Sequence, residues 1–548
     1  MAARLLFVGL DAAGTPLLER WIRAGDLPNL ARLQSEATGI ALDTPMEALP
    51  GAIWGEITQG RPGHVQGQFF HYGQAFPEEG AIRRLREDDV DPLRYLWADC
   101  SRAGLRCAVA DVPFQAFVPD FNGIQIREWA LHDHWLGPKS DPEPLFEELA
   151  ARFGPIPMYK DRCDAFVYRS GRRALLEALK ARAACKTEML VHLLERETWD
   201  LFYCVYGESH CAGHQFWPAP QWDWSGRTGI ESGPDDRWSA LREVYRALDA
   251  GLGRLLAAAG PDAKVVVLAS HGIGPYIGGP QLLPEVLIRL GLSAGPDTVT
   301  RRALRRAIRP LRQTPPRLKR LAYRLRRWPA LAWLDSRIGT AGVGSDDKPL
   351  GSPVCQALAV ANNRCGAIRL NLRGRDRNGI VPAEQAGALM DRIEQELLAL
   401  TDPKSGRRLV ARVDRADDLF CSERSPLVPD LIVVFRSDLG SIEACESPSI
   451  GRFRYGLHKT AYRRTGDHTP DSRAWIRAPG FPAGLETAEG HVLDLAPTIL
   501  SLLGVPIPSG MTGTALDRKL SPAARRIALA NWRKNGGPRR VRCGRTLS

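Results

Sequence analysis

The sequence predicts an α/β fold in which a mainly parallel central sheet is flanked by helices. Two patterns carry this. Short apolar, β-rich runs alternate with longer segments of 3.6-residue apolar period. Polar clusters also stand directly after three of the runs, where ligands bind in doubly wound sheets. With 548 residues, 44% hydrophobic and 25% charged, the chain can bury a large core and carry inserted parts.

The first strand is expected at Leu5–Leu10, an apolar run ended by Asp11-Ala12-Ala13-Gly14. A helical period follows over Leu17–Leu33. Further strands are expected at Cys107–Val112, Leu201–Val205, Val265–Ala269, Ile368–Leu372 and Leu431–Phe435. Further helices are expected at Arg172–Glu195, Trp238–Ala259, Glu384–Leu400 and Leu493–Leu503. Gly504-Val505-Pro506 and Pro508-Ser509-Gly510 then end the last helix. The first apolar run is too short for a secretory leader, and no run approaches the roughly 18 apolar residues of a membrane span. The eleven cysteines are scattered, with no C-x-x-C pair, which argues for a reduced, cytoplasmic chain and against a zinc ribbon.

Charge divides the chain. Arg301–Arg327 holds 12 Lys/Arg and no acid, and Arg518–Ser548 holds 10 more with no acid. Of 74 basic side chains, 52 therefore remain to face all 62 acids, so a mildly acidic body carries two basic appendages. The expected organisation is a core over 1–281, a basic helical insertion over 282–347, an accessory α+β region over 348–428, a closing core part over 429–517 and a basic tail over 518–548. Leu304, Ile308, Leu311, Leu318, Leu321 and Leu325 give the insertion an apolar side. This fits peripheral contact with an anionic membrane at the inner surface, or a helix packed on its own domain. Aromatic interleaving of the kind used on single-stranded nucleic acid is missing from it, and no sequence-specific nucleic-acid binding is expected.

Asp11 follows the first strand, Glu208 through His214 follow the Leu201–Val205 strand, and Ser270-His271-Gly272 follow the Val265–Ala269 strand. His468 lies in Gly466-Asp467-His468-Thr469-Pro470. Single histidines are ordinary structural residues; three at strand ends, taken together with His468, point to a metal. Neutral imidazoles are good zinc ligands, and three of them with one open position make a known catalytic arrangement. His210 and His214 share a face if their segment is helical. Trp217, Trp222 and Trp224 follow as core or cleft-wall residues, and His132 and His134 read as loop residues.

Several stretches resemble one family in order. They are Phe7 through Gly14, Gly25 through Leu33, Trp54 through Gly63, Glu208 through Trp217, Val265 through Gly274, Gly366 through Arg375, Pro429-Asp430-Leu431-Ile432 and Asp494 through Gly504. The family is that of type I phosphodiesterases and nucleotide pyrophosphatases, in the alkaline phosphatase superfamily. The resemblance implies an alkaline-phosphatase-like fold, two metal ions, commonly zinc, and a Ser or Thr nucleophile. It assigns His210, His214 and His468 to one ion, with His210 standing where the family has Asp. It assigns Asp11, the nucleophile, Ser270 and His271 to the other, with Ser270 replacing a carboxylate and leaving a weak ligand. Pro50 occupies the nucleophile position. Leu49 and Gly51 beside it have no hydroxyl, and Thr44 and Thr58 are off register. Asn371, Arg373 and Arg375 fall in a structural segment.

The sequence therefore favours a phosphate ester hydrolase, most of all a phosphodiesterase acting on a small phosphorylated substrate. It would use metal-activated water, with one zinc held more firmly than a second. The alternatives are an inactive relative that binds a phosphorylated or sulfated ligand, and a membrane-associated scaffold using the basic insertion.

Overall fold

The structure is a computed structural model. It describes residues 3–69, 74–131, 136–218, 238–293, 347–349 and 355–520, apart from 155, 157, 159–162, 361–364, 421–423, 441 and 455–463. The basic stretch 301–327, nearly all of the basic tail, His132, His134, Trp222 and Trp224 lie outside these residues.

Among the described residues, nine strands form the central sheet. In chain order the strands used below are β1 (Ala3–Leu10), β2 (Thr38–Asp43), β3 (Cys107–Ala110), β4 (Gly123–Arg127), β5 (Lys139–Asp141), β6 (Trp199–Tyr206), β7 (Lys264–Ala269), β8 (Gly272–Pro275), β9 (Ala357–Val360), β10 (Gly366–Leu370), β11 (Val410–Arg415), β12 (Leu431–Phe435), β13 (Gly466–Thr469), β14 (Ser472–Arg477) and β15 (Glu486–His491). The helices are α1 (Thr15–Arg23), α2 (Pro28–Glu36), α3 (Ile53–Gln59), α4 (Cys163–Arg196, broken by a kink at Gly171), α5 (Glu208–Phe216), α6 (Ser239–Ala259), α7 (Ala383–Leu398) and α8 (Leu495–Leu503). The sheet order is β15-β2-β14-β7-β1-β6-β3-β4-β5. A parallel run of five, β7-β1-β6-β3-β4, makes its middle, and β14 lies antiparallel between β2 and β7.

The expected α/β class, a mostly parallel sheet flanked by helices, is the observed one. β1 shows why. Its alternate side chains enter two different cores: Leu6, Val8 and Leu10 pack with α4 and α6, whereas Leu5 and Phe7 pack with α8. Covering both faces is what a parallel sheet requires, and it explains the unbroken apolar run. No helix among the described residues is long and apolar enough to cross a membrane.

Three expectations are corrected. Leu17–Leu33 is two helices, because Gly25 turns at φ 79° and Pro28 opens the second. The Leu431–Phe435 strand, expected in the closing part of the core, does not join the central sheet but pairs with the accessory-region strand at Ile368. The two are β12 and β10 of a separate antiparallel sheet, ordered β9-β10-β12-β11. That sheet runs past residue 428, where the accessory region was expected to end. It shares a core with Leu282, Leu283, Val286 and Leu287, which the sequence had placed in the insertion.

Candidate metal centre

The register of the parallel strands brings the candidate residues together. Leu10 is paired with both Tyr206 and Ala269, so the chain leaves β1, β6 and β7 at one level. Asp11 donates its backbone N–H to the Tyr206 carbonyl (2.9 Å), and Ser270 donates its own to the Leu10 carbonyl (3.2 Å). After β6 the chain enters α5, which carries His210 and His214 one turn apart, as the i, i+4 spacing requires. α5 is anchored by an ion pair of Glu208 with Arg182 (2.8 Å), both buried, and by the Ser209 hydroxyl donating to the Asp11 carbonyl (2.6 Å). His468 arrives from β13, which pairs antiparallel with β8 and places His468 opposite Ile273.

One close approach lets α5 and β13 meet. A Cβ on Gly466 would lie 2.2 Å from the Gly213 carbonyl oxygen, so no larger residue fits there without displacement. Thr465 donates its N–H to the His214 carbonyl (2.8 Å), which pins the same crossing.

Three imidazoles converge. His210 Nε2 is 2.8 Å from His214 Nε2 and 2.9 Å from His468 Nε2. The three ligand atoms lie within 4.8 Å of one another. A tetrahedral zinc with nitrogens at 2.0–2.1 Å spaces them about 3.3 Å apart, so a small opening accommodates the ion. The partners on the far side of two rings assign their protons. His214 Nδ1 is 2.8 Å from the Gly466 carbonyl and His210 Nδ1 is 2.7 Å from Asp11 Oδ2, and both oxygens can only accept. Both Nε2 atoms are then lone pairs facing one another, a repulsive contact that a cation between them relieves. The donor set fits a divalent metal.

Electrostatics favour the neutral ligand form. Burial pushes the His468 pKa well below its ordinary value, and the neighbouring His271, His210 and His214 add to the shift. Burial also lowers His271, to about 4; Asp11 opposes that shift and His210 adds to it.

Asp11, His271 and Ser270, expected to serve a second ion, do not enter the three-histidine group. Asp11 Oδ1 accepts from Trp54 Nε1 (2.8 Å) and the Ser270 hydroxyl (3.2 Å), while Oδ2 faces His210. In this arrangement the Asp11 carboxylate orients His210. Ser270 Oγ also accepts from the Ala12 N–H (3.3 Å) and lies 3.0 Å from His271 Nδ1. His271 Nε2 is buried with no hydrogen-bond partner among the described residues, and its ring lies 4.6 Å from that of His468.

Pro50 is buried in the short turn Pro50–Ala52, which has no hydroxyl. Thr44 donates its hydroxyl to the Pro470 carbonyl (3.0 Å), and Thr58 donates back to Trp54 in its own helix (2.7 Å). Two site residues had escaped sequence reasoning. Trp54 reaches Asp11 because Gly9 leaves room for its indole, whose Cη2 lies 2.8 Å from where a Cβ would stand. Arg464 places Nη1 3.3 Å from His214 Nε2. Nothing in the local pattern of either distinguishes it from a packing tryptophan or a surface arginine.

Residues 74–292 match the family model of type I phosphodiesterase / nucleotide pyrophosphatase. The phosphodiesterase match takes in His210, His214, Ser270 and His271, and leaves Asp11, Pro50, Arg464 and His468 outside. Similar solved structures include phosphonoacetate hydrolase from Sinorhizobium meliloti 1021 in complex with phosphonoformate. It is 14% identical with a TM-score of 0.45, covering 92% of this chain and 96% of that one. Murine ectonucleotide pyrophosphatase / phosphodiesterase 5 is 11% identical with a TM-score of 0.45 over the same shares. Its inactive form in complex with AMP is 10% identical with a TM-score of 0.46, again over 92% and 96%. No curated protein matches the sequence.

Proposed function

We propose that this protein is a metal-dependent hydrolase of phosphate esters, acting on diesters, with one zinc held by His210, His214 and His468. The observation that carries the reading is the approach of His210 Nε2 to within 2.8 Å of His214 Nε2, with an acceptor behind each ring. The phosphodiesterase match over 74–292 supports the same reaction class. An ion in this position would supply Lewis-acid polarisation of a phosphoryl oxygen and lower the pKa of water toward neutrality.

The chain's own residues do the rest. Asp11 holds the proton of His210 Nδ1 and keeps Nε2 bare, and the Gly466 carbonyl does the same for His214. Trp54 and Ser270 in turn hold Asp11, so the orienting carboxylate is itself fixed. Three neutral imidazoles leave the ion's positive charge largely uncompensated, which favours an anionic ester. Pro50 excludes a covalent step through that position.

A second reading, a relative that binds a phosphorylated ligand without turnover, is favoured by the same Pro50 and by Ser270 in place of a carboxylate. Elemental analysis of wild type and His214→Ala, with turnover of an aryl phosphodiester, separates the two. The hydrolase reading expects about one zinc per chain, lost in the variant, with activity falling on the order of a hundredfold or more. Zinc without turnover favours the second reading. No zinc after reconstitution overturns the metal centre.

A further inference from the structure

We propose that His271 accepts a hydrogen bond from an O–H group seated at the three-histidine centre, so that the centre takes hydrogen phosphate in preference to sulfate; this rests on the metal-centre reading above. His271 lies between β7 and β8, and its side chain is buried. Its Nδ1 is 3.0 Å from the Ser270 hydroxyl oxygen and 3.8 Å from Asp11 Oδ1. Its Nε2, across the ring, is buried with no hydrogen-bond partner among the described residues. The ring stands edge-to-face on His468 at 4.6 Å and on His210 at 6.1 Å, centroid to centroid. It borders the centre without joining the three ligand atoms that lie within 4.8 Å of one another.

The bonds on one side of this ring decide what the other side can do. Ser270 Oγ has a single proton and donates it to Asp11 Oδ1 (3.2 Å), a carboxylate oxygen that only accepts. The same Oγ accepts from the Ala12 N–H (3.3 Å) and keeps a second lone pair for His271. Nδ1 is therefore the donor toward Ser270, and the nearby carboxylate favours a proton on that side. A neutral ring protonated at Nδ1 carries a bare lone pair at Nε2. Burying that acceptor unpaired is unfavourable, and a donor that arrives with the ligand offsets the cost. An acceptor in this place discriminates between anions of like shape. Hydrogen phosphate brings an O–H to it, whereas sulfate brings only oxygens, which the lone pair repels. A phosphodiester has no O–H of its own, so with that substrate the donor is a water molecule beside it.

The test uses the zinc-loaded full chain as wild type, His271→Phe and His271→Gln. Binding of inorganic phosphate and of sulfate is read by calorimetry at about pH 8.5, where both are dianions that differ by one proton. Zinc affinity is read separately by chelator competition. Wild type should prefer phosphate about tenfold or more, the range for one hydrogen bond set against an unpaired acceptor. His271→Phe, close in shape but without an acceptor, should bind phosphate more weakly and lose the preference. His271→Gln, whose amide can turn either its oxygen or its NH2 inward, should lose the preference by binding sulfate more tightly. Zinc affinity should stay within about threefold of wild type in both variants, since a second-shell contact of this kind leaves the ligands in place. A wild type that binds zinc but takes both anions alike overturns the role of His271 alone. A tenfold or larger loss of zinc in both variants, roughly what losing a direct ligand costs, also overturns it. A wild type that takes up no zinc overturns the metal-centre reading and this proposal with it. If wild type binds zinc and prefers phosphate but hydrolyses no ester, the hydrolase reading fails while His271 keeps its role.

Discussion

His210 has a carboxylate behind one nitrogen and two imidazoles in front of the other, and that arrangement decides what the residue can do. The same logic applies to Glu56, a buried carboxyl in α3. Its Oε1 accepts from the Gly63 N–H (2.8 Å), while Oε2 is buried with no partner among the described residues. Burial raises its pKa from 4.5 to about 8, with the Gly63 hydrogen bond opposing. The sign follows from linkage. Because the folded pKa lies above the unfolded one, this group's contribution is most favourable below about pH 4.5. It is lost as pH climbs to about 8 and then stays flat. Glu56→Gln should therefore gain stability relative to wild type across that window, by a few kcal/mol at the ceiling. Denaturant unfolding of both proteins at pH 5 and pH 8.5 measures this. An unchanged difference between the two pH values would mean the carboxyl is ionised in the folded protein.

The crossing of α5 over β13 is the element on which the centre depends. Gly466 has room for no side chain against the Gly213 carbonyl. Gly466→Ala should push the strand from the helix, separate His468 from His210 and His214, and cost about 1–3 kcal/mol of stability. Zinc content and thermal unfolding of the variant check it; full zinc retention would show that the crossing tolerates displacement. Much of this part of the molecule was legible in the sequence. The i, i+4 pair on α5, the polar residues after β1, β6 and β7, and the strand runs themselves follow from local periodicity. What was not legible is long-range. Sequence spacing says nothing of the Trp54 indole reaching Asp11, or of Arg464 meeting His214 across 250 positions. The family resemblance assigns Asp11 to a metal, and its place at a strand end puts it at the site. Only the three donors around its carboxylate give it an orienting role. β10 and β12 have the apolar runs of central strands, and which sheet they join depends on pairings that no local pattern encodes.

On the scale of the whole molecule, two sheets with separate cores are held by different means. The second sheet carries a buried charge cluster. Arg369 pairs with Asp376 (2.8 Å), and Arg375 forks onto both oxygens of Asp430 (2.6 and 2.9 Å), which also accepts the Leu370 N–H. This gives Arg375 the structural place expected for its segment. Asp430→Ala removes the forked partner of Arg375, which keeps Asp376 (3.1 Å) as its remaining carboxylate, and should cost about 3–5 kcal/mol. Since the charges lie in the second sheet, zinc content measured below the variant's unfolding temperature should stay at the wild-type level; loss of zinc in a folded variant would show the two sheets to be coupled. The central sheet has a different dependence. β14, residues Ser472–Arg477, fills the slot between β2 and β7, strands that do not pair with each other. During synthesis, β2 and β7 leave the ribosome some 200 residues or more before the strand that joins them. Until then each has an open edge, and His468, which comes in on the same late segment, is missing from its cluster. A nascent chain halted before residue 466 would hold His210 and His214 without their third partner, so the three-histidine cluster is completed only in the last stage of translation.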